Sequence, residues 1–323
     1  MNKLLAEEMY YLMVLGRAFE YGAKENYMKG NISGFLHLDI GQEALSVGAI
    51  KAFEKGDIFS GYREHIMAIS RGLEPKAVMA ELFGKSTGVS GGKGGSMHLF
   101  EPSHYFYGGD AIVGGQLPNA VGCAYARALQ ENDDGVMAIF GDGATNGGAF
   151  FESLNIAATH KLPLLFLCEN NEYAIGTNIR RTAPFREQAK KAEPYMPTYE
   201  VDGMDAEAVY EVVSQARKQI EAGHGPVFVE AFTCRYEGHS VSDANSYRSA
   251  QEMAHCKARD PIEKFKKALH EKWLCTEEEI QNIEIKAQKA VEDAVKYAEE
   301  SPEPEPEALF EHVFYQEHKN VVS

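Results

Sequence analysis

Val136-Met137-Ala138-Ile139-Phe140-Gly141-Asp142-Gly143-Ala144 and, beyond residues 145–169, Asn170-Asn171 decide the fold. The apolar run Val136 to Phe140 reads as a strand that ends at Gly141-Asp142-Gly143. A second apolar run, Pro163 to Cys168, leads into the asparagine pair. Between them, Ala144 to Lys161 reads as a helix, because Phe150, Phe151, Leu154, Ala157 and Ala158 recur at helical spacing. Strand, helix and strand make a right-handed parallel unit. Both polar ends then fall on one edge of a sheet, where open α/β sheets bind ligands. The fold class expected is therefore α/β, a parallel sheet flanked by helices.

The chemistry at those ends is specific. A carboxylate (Asp142) and an amide oxygen (Asn171) on neighbouring strand ends suit a hard cation such as Mg²⁺, which keeps other positions for water and phosphate oxygens. Gly143 and Ala144 are expected to open the helix, with N–H groups that can face an anion.

Composition sets outer limits. The chain has 323 residues, 44% of them hydrophobic and 25% charged, which is globular, and its net charge of -16 argues against nucleic acid and anionic membrane partners. No run approaches the ~20 apolar residues needed to cross a membrane. The five cysteines are odd in number, and none pair at metal-ligand spacing. Cys168 and Cys234 sit in apolar strands and read as buried free thiols, which fits a reducing cytoplasm. The stretch Met1 to Leu15 contains Lys3, Glu7 and Glu8 and lacks the apolar core of a signal peptide. A cytoplasmic location is the expectation.

Other elements can be placed along the chain. Residues 3–29 read as a helix with Leu4, Met9, Leu12, Met13, Leu15 and Phe19 on one side. Asp57 to Ser60 reads as a short strand that delivers Tyr62 and Arg63. Residues 84–96 are rich in glycine. Gly84-Lys85-Ser86 is no P-loop, because Met79 stands where that motif needs a glycine. Leu117 to Leu129 reads as a closely packable helix. Asp205 caps a helix that runs to Ile220 and stops at Gly223. Val227 to Cys234 is a strand aimed at Arg235 and His239. Thr276 to Glu279 is a capping box, and 301–306 must be extended. Leu309, Phe310, Val313 and Phe314 make an apolar tail expected to dock. One domain over residues 1–323 is expected, with an N-terminal helical extension and a C-terminal helix plus Pro-rich tail.

Three loops carry further candidates. Arg63 suits a diphosphate because its planar donors bind oxygen pairs. His239 at a sheet edge can bind phosphate, shuttle a proton or polarise a carbonyl. The Ser240, Ser242 and Ser246 hydroxyls read as part of a polar, mobile loop. His37 can face substrate, whereas Glu43 reads as an N-terminal helix charge.

The Gly-Asp-Gly to Asn-Asn spacing resembles the thiamine diphosphate signature. With Phe35-Leu36-His37-Leu38, Gly41-Gln42-Glu43-Ala44, Tyr62-Arg63, Gly94-Gly95-Ser96-Met97-His98, Val201-Asp202-Gly203 and Gly238-His239-Ser240, nearly the whole chain resembles one family. That family is the alpha subunits of the decarboxylating component of 2-oxo acid dehydrogenase complexes, and the pyruvate dehydrogenases within it look most similar. The resemblance implies the diphosphate-binding half of a thiamine diphosphate-binding fold. It implies that Asp142, Asn171 and the Tyr173 carbonyl hold Mg²⁺. Tyr62, Arg63, Gly141, Gly143, Ala144, Arg235 and His239 would line the diphosphate. Val113 and the backbone of Ala111 would meet the aminopyrimidine, and His37 and His239 would face the substrate. The reaction implied is oxidative decarboxylation of pyruvate, a small 2-oxo acid, with acetyl transfer to a lipoyl group of the acyltransferase component. The glutamate that activates the cofactor belongs to a second domain this chain is too short to contain. A beta subunit would supply it in an α2β2 heterotetramer. Acetoin and branched-chain 2-oxo acid dehydrogenases remain alternatives, and a non-catalytic scaffold is an alternative of another class. Ser240 and Ser246 match phosphorylation positions of eukaryotic relatives; regulation by a kinase is not expected in this shorter loop.

Overall fold

A computed structural model describes residues 1–132 and 134–311. In chain order its regular elements are α1 (Lys3–Met28), α2 (Glu43–Ala52), β1 (Asp57–Gly61), α3 (His65–Arg71), α4 (Pro75–Leu82), β2 (Phe106–Asp110), α5 (Gln116–Leu129) and β3 (Val136–Gly141). There follow α6 (Gly148–Thr159), β4 (Leu164–Asn170), β5 (Tyr173–Ala174), β6 (Thr177–Asn178), α7 (Ala189–Ala192), β7 (Thr198–Asp202) and α8 (Ala206–Glu221). The last are β8 (Val227–Phe232), α9 (Ala250–Lys257), α10 (Pro261–Trp273) and α11 (Glu277–Glu300). Six strands form one parallel sheet in the order β2-β1-β3-β4-β8-β7. The chain leaves β1 toward one edge and resumes at β3 toward the other, so the strand order reverses between them. Such a reversal opens a crevice at the carboxyl ends of the strands.

The sheet is covered on both faces, which is why its central strands read as continuous apolar runs. Alternate residues serve opposite layers. Met137, Ile139, Leu165 and Leu167 join the core beneath α1, α2 and α8. Ala138, Phe140, Leu164, Phe166 and Cys168 join the core beneath α5 and α6. Phe140 packs with Phe150, Phe166 and Phe228, and each such ring contributes roughly 1.5–3 kcal/mol by leaving water.

The long helices follow their sequence signals. In α1 Met9, Leu12, Met13, Leu15 and Phe19 are buried, but Leu4 points to solvent. Asp205 caps α8 and Thr276 forms a complete capping box on α11. Residues 144–161 differ from the single helix expected. Asp142–Asn146 is a 3-10 turn, tightened by the Thr145 hydroxyl donating to the Asp142 carbonyl at 2.8 Å. Gly147 is extended, and α6 begins only at Gly148. The Gly143 and Ala144 N–H groups therefore sit in the turn and do not open α6. Phe151, expected on the inner face, is exposed.

The glycine-rich segment is wrapped around the protein's own anion. The buried Glu81 carboxylate accepts from the N–H groups of Ser90 and Gly92 at 2.8 Å each, Gly94 at 2.7 Å and Gly95 at 3.0 Å. Two calls fail here for want of long-range information. Cys234 is no free thiol: it is joined to Cys256 in a disulfide with Cα atoms 5.9 Å apart. Only the path of the intervening loop brings α9 back to the end of β8. Leu309 and Phe310 do not dock, being 74% and 80% exposed; Val313 and Phe314 lie outside the described residues. Among the described residues no helix is long and apolar enough to cross a membrane.

Candidate active site

A cleft of about 190 Å³ opens where the strand order reverses. Its lining includes Tyr62 and Arg63 after β1, Gly141 to Ala144 after β3, and Asn171 and Tyr173 after β4, with Arg235 beyond β8 and Val113 on its rim. The structure thus brings together, from four strand ends, most of the residues singled out in the sequence. His37 and His239 flank Tyr62, with ring centroids 4.6 Å and 5.6 Å from it and 5.0 Å from each other. Ala111 lies between Asp110 and Ile112, both of which line the cleft.

The early loop reaches the site by close backbone approach. Gly41 has φ +99°, and a Cβ there would strike the Cys234 carbonyl. This contact lets the Ile40 carbonyl accept the Tyr236 N–H at 2.8 Å, which holds the loop carrying His37 against the loop carrying His239.

Asp142 is almost wholly buried at the floor. Burial pushes its carboxyl up to about 7, opposed by backbone hydrogen bonds and by Arg235. A buried carboxylate of this kind is suited to meet a cation. The Asn171 amide oxygen accepts the Tyr173 N–H at 3.1 Å, so this oxygen and the Tyr173 carbonyl belong to one turn. Among the described residues no group of three His, Cys, Asp or Glu side chains could hold a metal. The set expected here contains one carboxylate, one amide and one carbonyl, a mixture suited to Mg²⁺. The asparagine pair divides its labour: Asn170 donates to Glu230 at 2.6 Å and holds the β4 end to β8.

Arg63 and Arg235 line the cleft, with Arg248 packed against Arg235, and all three are buried. Arg63 donates to the carbonyls of Leu38 and His239. Arg235 donates to the Glu237 and Ile175 carbonyls and to the Tyr247 hydroxyl at 3.0 Å. Arg248 donates to the Arg235 carbonyl and lies over the Tyr173 ring, 4.4 Å from its centroid. Among the described residues the partners they have are neutral acceptors, the Arg248 Nε has none, and none of the three forms an ion pair with a carboxylate, unlike Arg17 with Glu43 or Arg127 with Asp57. Burial, then Arg63 and Arg248, lowers Arg235 to about 9. Repelling cations without counter-charge mark an anion site.

The histidines are held neutral. Burial, then Arg63, lowers His37 to about 3 and His239 to about 4. Nδ1 of each is buried and, among the described residues, has no hydrogen-bond partner.

Sequence reasoning missed three participants. Glu169 lines the cleft with a buried Oε1 that has no partner among the described residues, and burial, then Asp39, raises its carboxyl well above the usual range. A glutamate closing an apolar strand was the signal available. Gln116 donates to the Ile139 carbonyl at 2.8 Å and leaves its own oxygen unpaired beside the cleft. Arg248 had no local signal, because only the folded loop brings it to Arg235.

Comparison with known proteins agrees with this geometry. A family model described as Dehydrogenase E1 component matches residues 11–307. The chain is 45% identical over 315 residues to "Pyruvate dehydrogenase E1 component subunit alpha-3, chloroplastic" of Arabidopsis thaliana, covering 95% of this chain and 74% of that protein. It is 42% identical to "Pyruvate dehydrogenase E1 component subunit alpha" of Porphyra purpurea, covering 97% of this chain and 93% of the relative. It is 41% identical to the protein of that name in Rhizobium meliloti (strain 1021), covering 93% and 87%. With a parallel sheet whose strand ends gather Asp142, Asn171 and Arg235, and a match along nearly its whole length, the chain belongs to the dehydrogenase E1 component family.

Proposed function

We propose that this chain is the alpha subunit of a pyruvate dehydrogenase E1 enzyme that uses thiamine diphosphate and Mg²⁺. The observation that carries this reading is the presence in the lining of one cleft of Asp142, a buried carboxylate, and of Arg63 and Arg235, buried guanidinium groups that among the described residues form no ion pair with a carboxylate. A Mg²⁺-diphosphate carries a charge complementary to each.

Asp142, the Asn171 amide oxygen and the Tyr173 carbonyl would hold the metal. Arg63, Arg235 and Tyr62 would meet the diphosphate oxygens beside Gly141, Gly143 and Ala144. Thiamine diphosphate supplies the electron sink that lets the carboxylate of a 2-oxo acid leave as carbon dioxide. The protein orients the reactants and excludes water. His37 and His239, neutral at pH 7 and packed around Tyr62, would orient pyruvate or the arriving lipoyl group. The balance is pyruvate plus lipoyl disulfide giving carbon dioxide and acetyl-dihydrolipoamide. The disulfide is reduced and the acyl carbon oxidised.

The rim supports a beta subunit in an α2β2 heterotetramer. Ile112, Val113 and Ile175 stand 72%, 60% and 62% exposed around the cleft. Contiguous exposed apolar surface at a ligand site fits a partner that covers it. The cleft is also smaller than the ~300–1,000 Å³ usual for ligands of this size, as expected of half a site. A lipoyl-bearing acyltransferase component completes the proposal.

The test is pyruvate-dependent carbon dioxide release with thiamine diphosphate and Mg²⁺, comparing this chain alone with the chain co-expressed with its beta partner. Activity only in the pair is expected. Full activity from this polypeptide alone would refute the divided site. Turnover of acetoin or a branched 2-oxo acid in place of pyruvate would move the substrate assignment.

A further inference from the structure

Asn171 is held from behind by a chain of side chains. Its Nδ2 donates to Oε1 of Gln42 at 3.0 Å. Gln42 Nε2 donates in turn to Oδ1 of Asp39 at 2.5 Å. Asp39 Oδ2 accepts from the Ser46 hydroxyl at 2.6 Å, and the Asp39 N–H donates to Glu20 at 3.0 Å. Asp39 is fully buried and Gln42 is 1% exposed. Gln42 occupies the N-cap position of α2 yet makes no side-chain cap bond. Its amide is committed to Asn171 and Asp39.

The order of donors in this chain has a direction. An amide presents a donor at one end and an acceptor at the other, and flipping it exchanges them. Asp39 accepts at both oxygens, so Gln42 must turn its NH₂ group toward Asp39. Its oxygen then faces Asn171, which must turn its own NH₂ group toward Gln42. The remaining end of Asn171 is its oxygen, which accepts the Tyr173 N–H, and Asn171, Asp142 and Tyr173 line the same cleft. Two amides in series carry the acceptor character of a buried carboxyl group to the cleft wall. Reversal of either amide would aim N–H groups at a cation.

We propose that Gln42 and Asp39 are positioning residues that fix which end of the Asn171 amide faces the metal. The inference rests on the Mg²⁺-diphosphate site proposed above. The Asn171 oxygen also accepts the Tyr173 N–H, so that contact and the relay select the same orientation.

The test uses the chain assembled with its beta partner, with Mg²⁺ titrated at fixed thiamine diphosphate and binding followed by near-UV circular dichroism. Gln42→Leu removes the relay, whereas Gln42→Glu, sharing one proton with Asp39 across their short contact, still donates to Asp39 and keeps an acceptor facing Asn171. Ser46→Ala removes the other bond to Asp39 and shares the stability cost without breaking the relay. Outer ligand-orienting groups commonly contribute about 10–100-fold in metal affinity. Gln42→Leu should therefore need at least about tenfold more Mg²⁺, whereas Gln42→Glu and Ser46→Ala stay within about threefold. Unaltered Mg²⁺ dependence in Gln42→Leu would overturn the inference, as would equal losses in Gln42→Leu and Gln42→Glu. If Gln42→Leu does not assemble, Gln42→Glu and Ser46→Ala still decide: a tenfold loss in either overturns the relay. If the unaltered assembly binds the cofactor without regard to Mg²⁺, the metal site itself falls and the relay with it.

Discussion

The Arg63 guanidinium donates to the His239 carbonyl at 2.8 Å, and its other amino group donates to the Leu38 carbonyl next to His37. One cation therefore fastens both histidine-bearing segments. Lysine at this position keeps the charge but cannot bridge two carbonyls with a planar fork. Arg63→Lys should retain cofactor affinity within about tenfold while turnover falls further. Arg63→Met should lose affinity by about 10–100-fold, since bonds to charged groups contribute ~1.5–3 kcal/mol. Calorimetric cofactor binding beside steady-state kinetics separates the two effects. Equal behaviour of both variants would show that charge alone matters.

Asp142 is the only carboxylate in the expected metal set. Asp142→Asn leaves size unchanged and removes the charge. Metal and cofactor affinity should fall together, on the order of 3 kcal/mol or about a hundredfold, as for other buried charges deprived of a partner. Titration of the assembled enzyme with thiamine diphosphate at saturating Mg²⁺ measures this directly. Normal affinity in Asp142→Asn would sink the site assignment.

Acid should weaken the loops around the cleft before it unfolds the whole. His37 and His239 have folded values of about 3 and 4, below the ordinary histidine value of 6.5. Between these limits the unfolded chain binds more protons than the folded one. The stability from keeping both rings neutral is present above pH 6.5 and is lost as pH falls toward 4. Melting temperatures measured across that window should decline. Replacing both histidines with glutamine should flatten the decline, and an unchanged slope would place its cause elsewhere.

Glu81 accepts four backbone N–H groups, all from residues 90–95. Glu81→Ala should orphan all four half-buried donors and cost about 2–3 kcal/mol, because each unmet donor shielded from water is penalised. Glu81→Gln should cost less but also destabilise, since an amide offers one accepting atom in place of two. Urea unfolding of the assembled protein gives both values. No change in midpoint for Glu81→Ala would mean that water replaces the carboxylate.

Much of this arrangement is readable from residues alone. The apolar runs ending at Gly141 and Asn170 are long, local signals, and parallel topology then places Asp142 and Asn171 side by side. Thr276 and Glu279 announce a helix start within four positions. What was illegible depended on distance along the chain or on backbone detail. The pairing of Cys234 with Cys256 required the loop to turn back. The break at Gly147 arose from backbone freedom that side-chain periodicity does not register. The glycine-rich segment could be denied a nucleotide phosphate from Met79, but nothing local named Glu81 as the anion it encloses. Leu309 and Phe310 are apolar without being buried, since a pattern alone does not say what they meet.

The Cys234–Cys256 bond closes residues 234–256 into a ring from which Arg235, His239, Tyr247 and Arg248 project. Ring closure removes freedom from the unfolded chain. Inside it, Arg248 reaches back to the Arg235 carbonyl, and Tyr247 joins Arg235 to Asp243. The binding wall is thus preorganised, and its disorder is surrendered once, during folding. Cofactor association on this side should then show a heat-capacity change set by buried apolar area, with no added component from a loop that folds around its ligand.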